Sequence, residues 1–392
     1  MLKRVVLLII VILAAVFLFM LFSKPSQNSD LVPQGGNRIK NMLSLLMVKS
    51  GIKHLPEWQT VKNADNRVEV PEGVDKEQFN DSFVFQGSDE SGNVFLARIG
   101  FRGGGKEAEV WFWGVFDGKK YANDTRLVKF GEPDLSGMSA GGLEFIKTGS
   151  NTWQIKYNGT LNGNPAEVNL NWTNKSAIYS SAENMSIKST ALAMAEMPWS
   201  REYFEKLRSE KQARIEQGGI VSGTVKVDGK EYTLNMKGIR DHGWGKRNWS
   251  YINRYIWIIV SLDREIEIAG KKINYLVISP VDYGETFKRL ASGWLGGKDA
   301  ILPVDSTTDL ALIGEDGVIP EKFNIQFEVP GSDVLTMSVV RNAPEMPWIV
   351  QNGAFEVNEA WCAVEINGVN GTGLAEFGYA AGRGYNRPFE TE

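Results

Sequence analysis

Residues 221–236 read VSGTVKVDGKEYTLNM, the clearest hairpin pattern in the chain. Apolar and polar residues alternate on both sides of Asp228-Gly229, a pair that favours the two-residue turn between antiparallel strands. Similar strand patterns recur at residues 110–116, 153–157, 168–172, 255–262, 273–281, 323–329, 334–340 and 361–366. Strands do not alternate with helices as they would in a parallel sheet. We therefore predict a mostly β fold with antiparallel strands.

One segment interrupts the strands. Residues 201–217 contain no Gly or Pro, follow a potential N-cap at Ser200 and end at Gly218-Gly219. They predict a helix within 197–219 that connects an N-terminal β lobe (51–196) to a C-terminal β lobe (220–392). We expect Glu216 and Gln217, at the end of this helix, to be solvated. The tetrapeptide Glu-Met-Pro-Trp occurs at 196–199 and 345–348, which is compatible with two related lobes.

The N-terminus carries an apolar run from Val5 to Phe22, preceded by Lys3 and Arg4. Its length is at the short end of what spans a bilayer, and the positive-inside tendency retains the first residues in the cytosol. Residues 1–22 therefore predict a transmembrane anchor, with the rest of the chain lumenal or extracellular. The alternatives are secretion after signal cleavage and a bacterial periplasmic protein. Residues 23–50 are expected to form a stalk and a short apolar helix, which packs on the domain or rests near the membrane.

Sequons of the form Asn-x-Ser/Thr are more frequent than chance predicts, which favours a secretory compartment. Two of them, at Asn171 and Asn174, fall in a predicted strand and its exit. The candidate glycosylation sites are Asn80, Asn123, Asn158, Asn184, Asn248 and Asn370.

The composition of the 392 residues excludes some functions. The formal net charge of −4 disfavours binding to nucleic acid. With one cysteine, Cys362, and two histidines, the chain has almost no ligands for a zinc site, and we expect no metal or cofactor. The 12 Trp, 11 Tyr and 19 Phe residues are instead enough to line an apolar ligand cavity.

The most unusual segment is 238–249, GIRDHGWGKRNW, which follows a strong strand. In an extended backbone Arg240, His242 and Trp244 share one face, and Asp241 lies on the other. Asp241 and His242 are the candidate acid/base residues, because a histidine titrates near neutrality and a desolvated aspartate can stay protonated. The alternative is a buried polar network without chemistry. The candidate ligand-binding residues are Arg240, Trp244, Arg247, Trp249, Tyr255 and Glu376.

Three segments together resemble a known superfamily: Asp241-His-Gly-Trp-Gly245, Glu216-Gln-Gly218 and Gly371-Thr-Gly-Leu-Ala-Glu-Phe-Gly-Tyr379. They are similar to the two-lobed lipocalin-like superfamily of carotenoid 1,2-hydratase, kievitone hydratase and the AttH-type proteins, and closest to a branch without established activity. The resemblance implies two antiparallel lipocalin-like β-barrel or sandwich lobes with an apolar pocket between or within them. It also implies protonation of an isoprenoid double bond, with Asp241 and Glu376 matching acidic positions of the family.

Three functions remain open. The first is a membrane-anchored protein that binds a hydrophobic, lipid- or isoprenoid-like molecule in a β-lobe cavity. The second is an enzyme for acid-assisted hydration, isomerisation or cyclisation of an apolar substrate. The third is a carbohydrate-binding β-sandwich. Whether the protein catalyses a reaction depends on the cavity: Asp241 and His242 projecting into it without a cation would favour the enzyme.

Overall fold

A computed structural model describes residues 30–63, 65–131, 137–209, 212–247, 249–342, 344–350 and 353–381. The predicted anchor, residues 1–22, lies outside them, as does the sequon at Asn248. No helix in the described ranges is both long enough and apolar enough to cross a bilayer.

The described residues form twenty-two strands and four α-helices. The strands are β1 (Leu31–Val32), β2 (Phe79–Ser88), β3 (Val94–Arg102), β4 (Glu107–Phe116), β5 (Lys119–Ala122), β6 (Leu127–Lys129), β7 (Ser139–Ala140), β8 (Leu143–Lys147), β9 (Thr152–Leu161), β10 (Asn164–Ser180), β11 (Gln212–Val227), β12 (Lys230–Lys246), β13 (Arg254–Ile268), β14 (Lys271–Asp282), β15 (Leu290–Gly297), β16 (Ala300–Pro303), β17 (Ser306–Thr308), β18 (Lys322–Glu328), β19 (Leu335–Arg341), β20 (Met346–Val350), β21 (Phe355–Ile366) and β22 (Val369–Ala380). The helices are α1 (Arg38–Ile52), α2 (Ser181–Asn184), α3 (Ile187–Glu196) and α4 (Arg201–Ser209).

These strands make two antiparallel sheets. The first has the order β5-β4-β3-β2-β12-β11-β10-β9-β8-β7, with β6 paired to β4. The second has the order β1-β17-β18-β19-β21-β22-β13-β14-β15-β16, with β20 paired to β21. The prediction of a mostly β, antiparallel fold is confirmed.

The hairpin read from residues 221–236 is the centre of the first sheet. Asp228 and Gly229 both have positive φ, 54° and 72°, as a type I′ turn requires. The strands are longer than the sequence indicated, because β11 begins at Gln212 and β12 continues to Lys246. The segment with Asp241 and His242 is therefore regular strand, not a turn-rich loop.

The predicted connecting helix was wrong in its second half, since α4 ends at Ser209 and residues 212–217 belong to β11. Pairing with β10 and β12 overrides the helix propensity there. The pair Gly218-Gly219 does not end a helix but makes room for neighbouring rings. A Cβ on Gly218 would lie 2.3 Å from the Tyr275 ring, and one on Gly219 would lie 2.3 Å from Trp172.

The change of sheet does not coincide with the predicted lobe boundary at residue 220. Both β11 and β12 belong to the first sheet, and the second sheet takes over at β13, which begins at Arg254. The short β1, which precedes both lobes in sequence, joins the edge of the second sheet by pairing Leu31 with Thr308.

Each sheet curls around its own apolar core. In the first sheet Phe112 of β4 stacks on Tyr157 of β9, with ring centroids 5.3 Å apart, and Asn123 forms a single bridge to Leu161. That bridge joins the end of β5 to β9 rather than to the other edge strand, β7, so the described strands form open, rolled sheets rather than the closed barrels considered from the sequence. Both interiors are filled by buried side chains.

A third core lies where the outer faces of the two sheets meet. It joins Val84, Leu96 and Trp111 of the first sheet to Trp257 and Val277 of the second. The functional cavity lies in this layer.

Candidate functional site

A cavity of about 840 Å³ lies between the two sheets, a size suited to a ligand of drug-like dimensions. Its wall is largely aromatic and aliphatic. The apolar lining includes Val84, Leu96, Trp111, Trp249, Tyr255, Trp257 and Val277. Four carboxyl groups interrupt this wall, and they form two pairs.

The first acid pair is Glu216 on β11 and Asp241 on β12, which lie directly opposite each other in the sheet. Both oxygens of Glu216 accept indole N–H groups from the second sheet, 3.2 Å from Trp257 Nε1 and 2.6 Å from Trp294 Nε1. Asp241 Oδ2 lies 3.1 Å from Arg214 Nη2, whose Nη1 is 3.7 Å from Glu216. Glu216 was expected to be solvated and is instead 2% exposed.

Burial controls the protonation of this pair. Desolvation raises the pKa of Glu216 to about 7, with the Asp241 charge adding to the effect and Arg214 opposing it. It also raises the pKa of Asp241, against the attraction of Arg214 and Arg247. Asp241 Oδ1 is buried with no hydrogen-bond partner among the described residues, which leaves that oxygen free for a ligand or a proton.

The second acid pair is Glu359 on β21 and Glu376 on β22, again directly opposite in the sheet. Glu359 Oε2 accepts the indole N–H of Trp113, from the first sheet, at 2.5 Å and that of Trp348 at 2.7 Å. Its Oε1 accepts no donor from the described residues. Glu376 Oε1 accepts the hydroxyl of Tyr255.

The second pair holds its proton more tightly than the first. Burial, the charge of Glu376 and a hydrogen bond to it raise the pKa of Glu359 well above its usual range. The raised pKa favours a protonated Glu359 carboxyl, which agrees with the absence of a donor to Oε1 among the described residues. Burial also raises the pKa of Glu376, although hydrogen bonds from Tyr255 and Glu359 stabilise its carboxylate.

The two acid pairs have the same arrangement of hydrogen bonds. In each, one glutamate is held by two indole N–H groups, at least one of them from the opposite sheet, and its cross-strand neighbour is left to face the cavity. Trp257 connects them, since it lies opposite Glu376 in the sheet and donates to Glu216. Acids whose environments push their pKa values apart are suited to general acid and base roles.

Four arginines also line the cavity: Arg98, Arg208, Arg214 and Arg247. Arg98 is paired with Glu109 at 3.1 Å and Arg214 with Asp241. Arg247 has no carboxylate partner among the described residues, and its guanidinium lies 5.1 Å from the Trp249 ring centroid. Burial and the charge of Arg214 lower the pKa of Arg247 to about 10. A desolvated cation without a partner is a site for an anionic group of a ligand.

His242 lies on the opposite face of β12 from Asp241, as the strand alternation predicted. Its Nε2 lies 2.8 Å from Asp81 Oδ1, and Asp81 Oδ2 accepts Arg67 Nε at 2.7 Å. The ring stacks on Phe83, with centroids 3.8 Å apart. His242 therefore does not line the cavity, and its Nε2 is engaged by Asp81.

Two predicted ligand-binding residues share that face. Arg240 pairs with Asp65 at 2.9 Å and also donates to Gln217. Trp244 donates to the backbone carbonyl of Trp58 at 2.6 Å. Neither lines the cavity. Of the predicted site residues, the structure brings together Asp241, Arg247, Trp249, Tyr255 and Glu376.

Two of the predicted glycosylation sites are wrong. Asn80 and Asn123 are each 2% exposed, and their side-chain amides donate to the carbonyls of Gly243 and Val110. Asn184 is half-buried and accepts the Ser180 N–H. Asn158 and Asn370 are exposed.

Sequence reasoning missed Arg214, Glu359 and the indole partners of the acids. A signal existed for Glu359, an acid that alternates with the apolar residues Val357 and Trp361 in one strand. Arg214 lay in the segment read as helix. As for metals, the described ranges contain no group of three or more His, Cys, Asp or Glu side chains placed to hold an ion.

Residues 64–380 match the family described as Domain of unknown function (DUF7064). None of the curated proteins compared matches the chain. Among solved structures, a protein described as AttH from Nitrosomonas europaea superposes with a TM-score of 0.51 at 10% identity, covering 81% of this chain and 95% of that one. Its likeness shows that the two chains share a fold, as the resemblance to the AttH-type proteins implied.

Two further structures superpose less well. Kievitone hydratase from Nectria haematococca gives a TM-score of 0.45 at 10% identity, with 81% of this chain and 94% of that chain covered. CghA with Sch210972 gives 0.48 at 10% identity, with 81% and 95% covered.

Proposed function

We propose that this chain, which belongs to the DUF7064 family, binds an amphiphilic small molecule between its sheets and transfers a proton to it. The observation that carries the proposal is the placement of Asp241 and Glu376, two buried acids, in one aromatic cavity. Each lies beside a glutamate held by indole groups. Asp241 Oδ1 has no hydrogen-bond partner among the described residues, whereas Glu376 Oε1 accepts the Tyr255 hydroxyl.

The ligand is expected to be mostly apolar with one acidic group. The lining of tryptophan, tyrosine and aliphatic side chains suits an unsaturated hydrocarbon. Arg247 is the natural partner for a carboxylate or a similar anion, because it is desolvated and unpaired among the described residues.

The proposed reaction begins with the Glu359–Glu376 pair as the acid. The proton on Glu359 passes to Glu376 and from there to one carbon of a double bond. The π electrons form the new C–H bond, which leaves a carbocation on the other carbon and both glutamates as carboxylates. The hydroxyl of Tyr255 stabilises the Glu376 carboxylate that remains. The rings of Trp257 and Trp111 offer their faces to the cation.

Asp241 is the base of the second step, with its charge supported by Arg214. It takes a proton from a water molecule whose oxygen bonds to the cation, giving hydration. Alternatively it takes a proton from a carbon next to the cation, giving a shifted double bond or the end of a cyclisation. Both routes balance, because one proton is gained and one is lost.

A carrier without chemistry is the second candidate. The observation in its favour is that Glu216 and Glu359 hold indole groups of both sheets, which shows that buried acids here also serve to join the lobes. Binding of the ligand is common to both candidates.

The test uses the full-length protein in detergent and a panel of unsaturated isoprenoid acids in D₂O. An enzyme incorporates deuterium at carbon or adds the mass of one water, and Glu376→Gln and Asp241→Asn remove either product. Binding without any mass change favours the carrier. No binding by any isoprenoid or fatty acid overturns the proposal.

A further inference from the structure

Helix α1 presents apolar side chains to solvent on one face. Met42, Leu43, Leu46 and Met47 follow the spacing of a single helical stripe and are 39–58% exposed. The opposite face of the helix packs on α3, where Ser44 is buried. The stripe therefore has no partner among the described residues.

This stripe is continuous with the lining of the cavity. Met47 belongs to both, and Val48 and Ile52 of the same helix also line the cavity. Phe204 and Leu207 of α4 line it as well. The side of the cavity that α1 forms is therefore the side that carries the exposed stripe.

The charges around the stripe suit an anionic surface. Helix α1 contains no Asp or Glu, although the whole chain carries a net charge of −4. It bears Arg38 and Lys49, and Lys53 follows its end, whereas Lys40 donates to the Met197 carbonyl. An apolar stripe flanked by cations is the pattern of a helix lying in the surface of a bilayer.

The predicted membrane anchor, residues 5–22, lies close in sequence to this side of the molecule. The apolar run 5–22 ends nine positions before Leu31, which is fixed to Thr308 in the second sheet. Nine residues span at most roughly 30 Å. Gly35, just before α1, donates its N–H to Glu196 at the end of α3, so the helix is held close to that point.

We propose that α1 lies on a lipid bilayer and that the cavity opens toward the lipid, so that the ligand enters from the membrane. The docking stands on the stripe and its charges, whereas the route of the ligand rests on the proposed function. The occupant of the stripe is the bilayer, not residues 5–22 and not a second protein.

The test uses the full-length protein with a fluorescent label on an introduced cysteine, because the native Cys362 is buried. Leu43→Cys places the label on the stripe. Val334→Cys is the matched control, since Leu43 is 41% and Val334 40% exposed. Gly331, three positions before Val334, lies close to Ala269 just before β14 begins, whereas Val281 near the other end of β14 lines the cavity. Twelve residues of strand separate these ends by roughly 35–40 Å.

The protein is reconstituted in phosphatidylcholine–phosphatidylserine vesicles whose acyl chains carry nitroxides. We expect the label at position 43 to be quenched and that at position 334 to remain bright. Equal fluorescence at both positions overturns the docking. A blue shift at position 43 without quenching also overturns it, because it would mean that protein covers the stripe.

A second measurement tests the route. Met42→Gln with Leu46→Gln should slow the transfer of a dansyl-labelled fatty acid from vesicles several-fold, with its affinity in detergent unchanged. Unchanged transfer overturns the route. If the unsubstituted protein does not bind the fatty acid in detergent, the proposed function is contradicted. The quenching result at position 43 does not depend on that outcome.

Discussion

Glu359 and Glu376 lie directly opposite each other on β21 and β22, and burial together with the charge of Glu376 raises the pKa of Glu359 well above its usual range. The two indole groups on Glu359 leave Glu376 as the member of the pair that a ligand can reach. The protein thus uses one acid to hold the sheets together and to place the next acid.

Glu359→Gln should cost little stability, about 1 kcal/mol or less, because a glutamine can accept both indole groups and donate to Glu376 as a protonated glutamate does. Glu359→Ala should cost about 3 kcal/mol or more, since it leaves the N–H groups of Trp113 and Trp348 buried without a partner. Urea denaturation measures both. Equal losses for the two variants would show that Glu359 is ionised in the folded protein.

Glu216 should make stability fall as pH rises. Its folded pKa, about 7, is above the ordinary 4.5, so the folded state binds more protons between these values. Its contribution is complete below 4.5 and is lost as pH passes about 7, a change of about 3 kcal/mol for 2.5 units. The comparison is the unfolding free energy of the unsubstituted protein with that of Glu216→Gln across this window. Parallel pH profiles would contradict the raised pKa.

Asp81→Asn should destabilise the protein without changing the cavity. It weakens the contacts with Arg67 and His242, both buried, at a cost of about 3–5 kcal/mol. Because these groups lie on the far face of β12, the affinity per folded molecule for a dansyl-labelled fatty acid should be unchanged. A loss of affinity in the folded fraction would indicate that His242 contributes to the binding site.

Gly243→Leu should block the cavity. Gly243 lines it, and a Cβ there would have no neighbour closer than 3.8 Å, so the larger side chain projects into space. The control is Gly131→Leu, an exposed position with nothing within 4 Å. We expect loss of fatty-acid binding only in the first variant, with the melting temperature retained in both. Binding that survives Gly243→Leu would place the ligand elsewhere.

Arg247→Gln should remove the preference for an acidic ligand. A charge-assisted hydrogen bond contributes about 1.5–3 kcal/mol, so a dansyl-labelled fatty acid should bind roughly 10–100-fold more tightly than its methyl ester. In the variant the two should bind alike, whereas Arg264→Gln, an exposed change, should leave the preference intact. Equal binding of acid and ester by the unsubstituted protein would remove Arg247 from the proposal.

Local patterns predicted the strands well, because alternation and turn residues are properties of adjacent positions. The hairpin around Asp228 and the opposite faces of Asp241 and His242 followed from them. The predicted helix was wrong across residues 212–217 because the charged residues there have high helix propensity, while pairing with distant strands determined the outcome. The acid pairs depend on contacts between distant positions, such as Trp113 and Glu359, which are 246 positions apart. No local pattern contains that information.

The hydrogen bonds from indole groups cross between the sheets in both directions. Trp113 of the first sheet donates to Glu359 of the second. Trp257 and Trp294 of the second sheet donate to Glu216 of the first. Neither sheet alone therefore contains an acid pair together with all of its indole donors. A chimera that joins the first half of this chain to the second half of a relative must therefore inherit matching tryptophans, and the two halves are expected to have changed together during evolution.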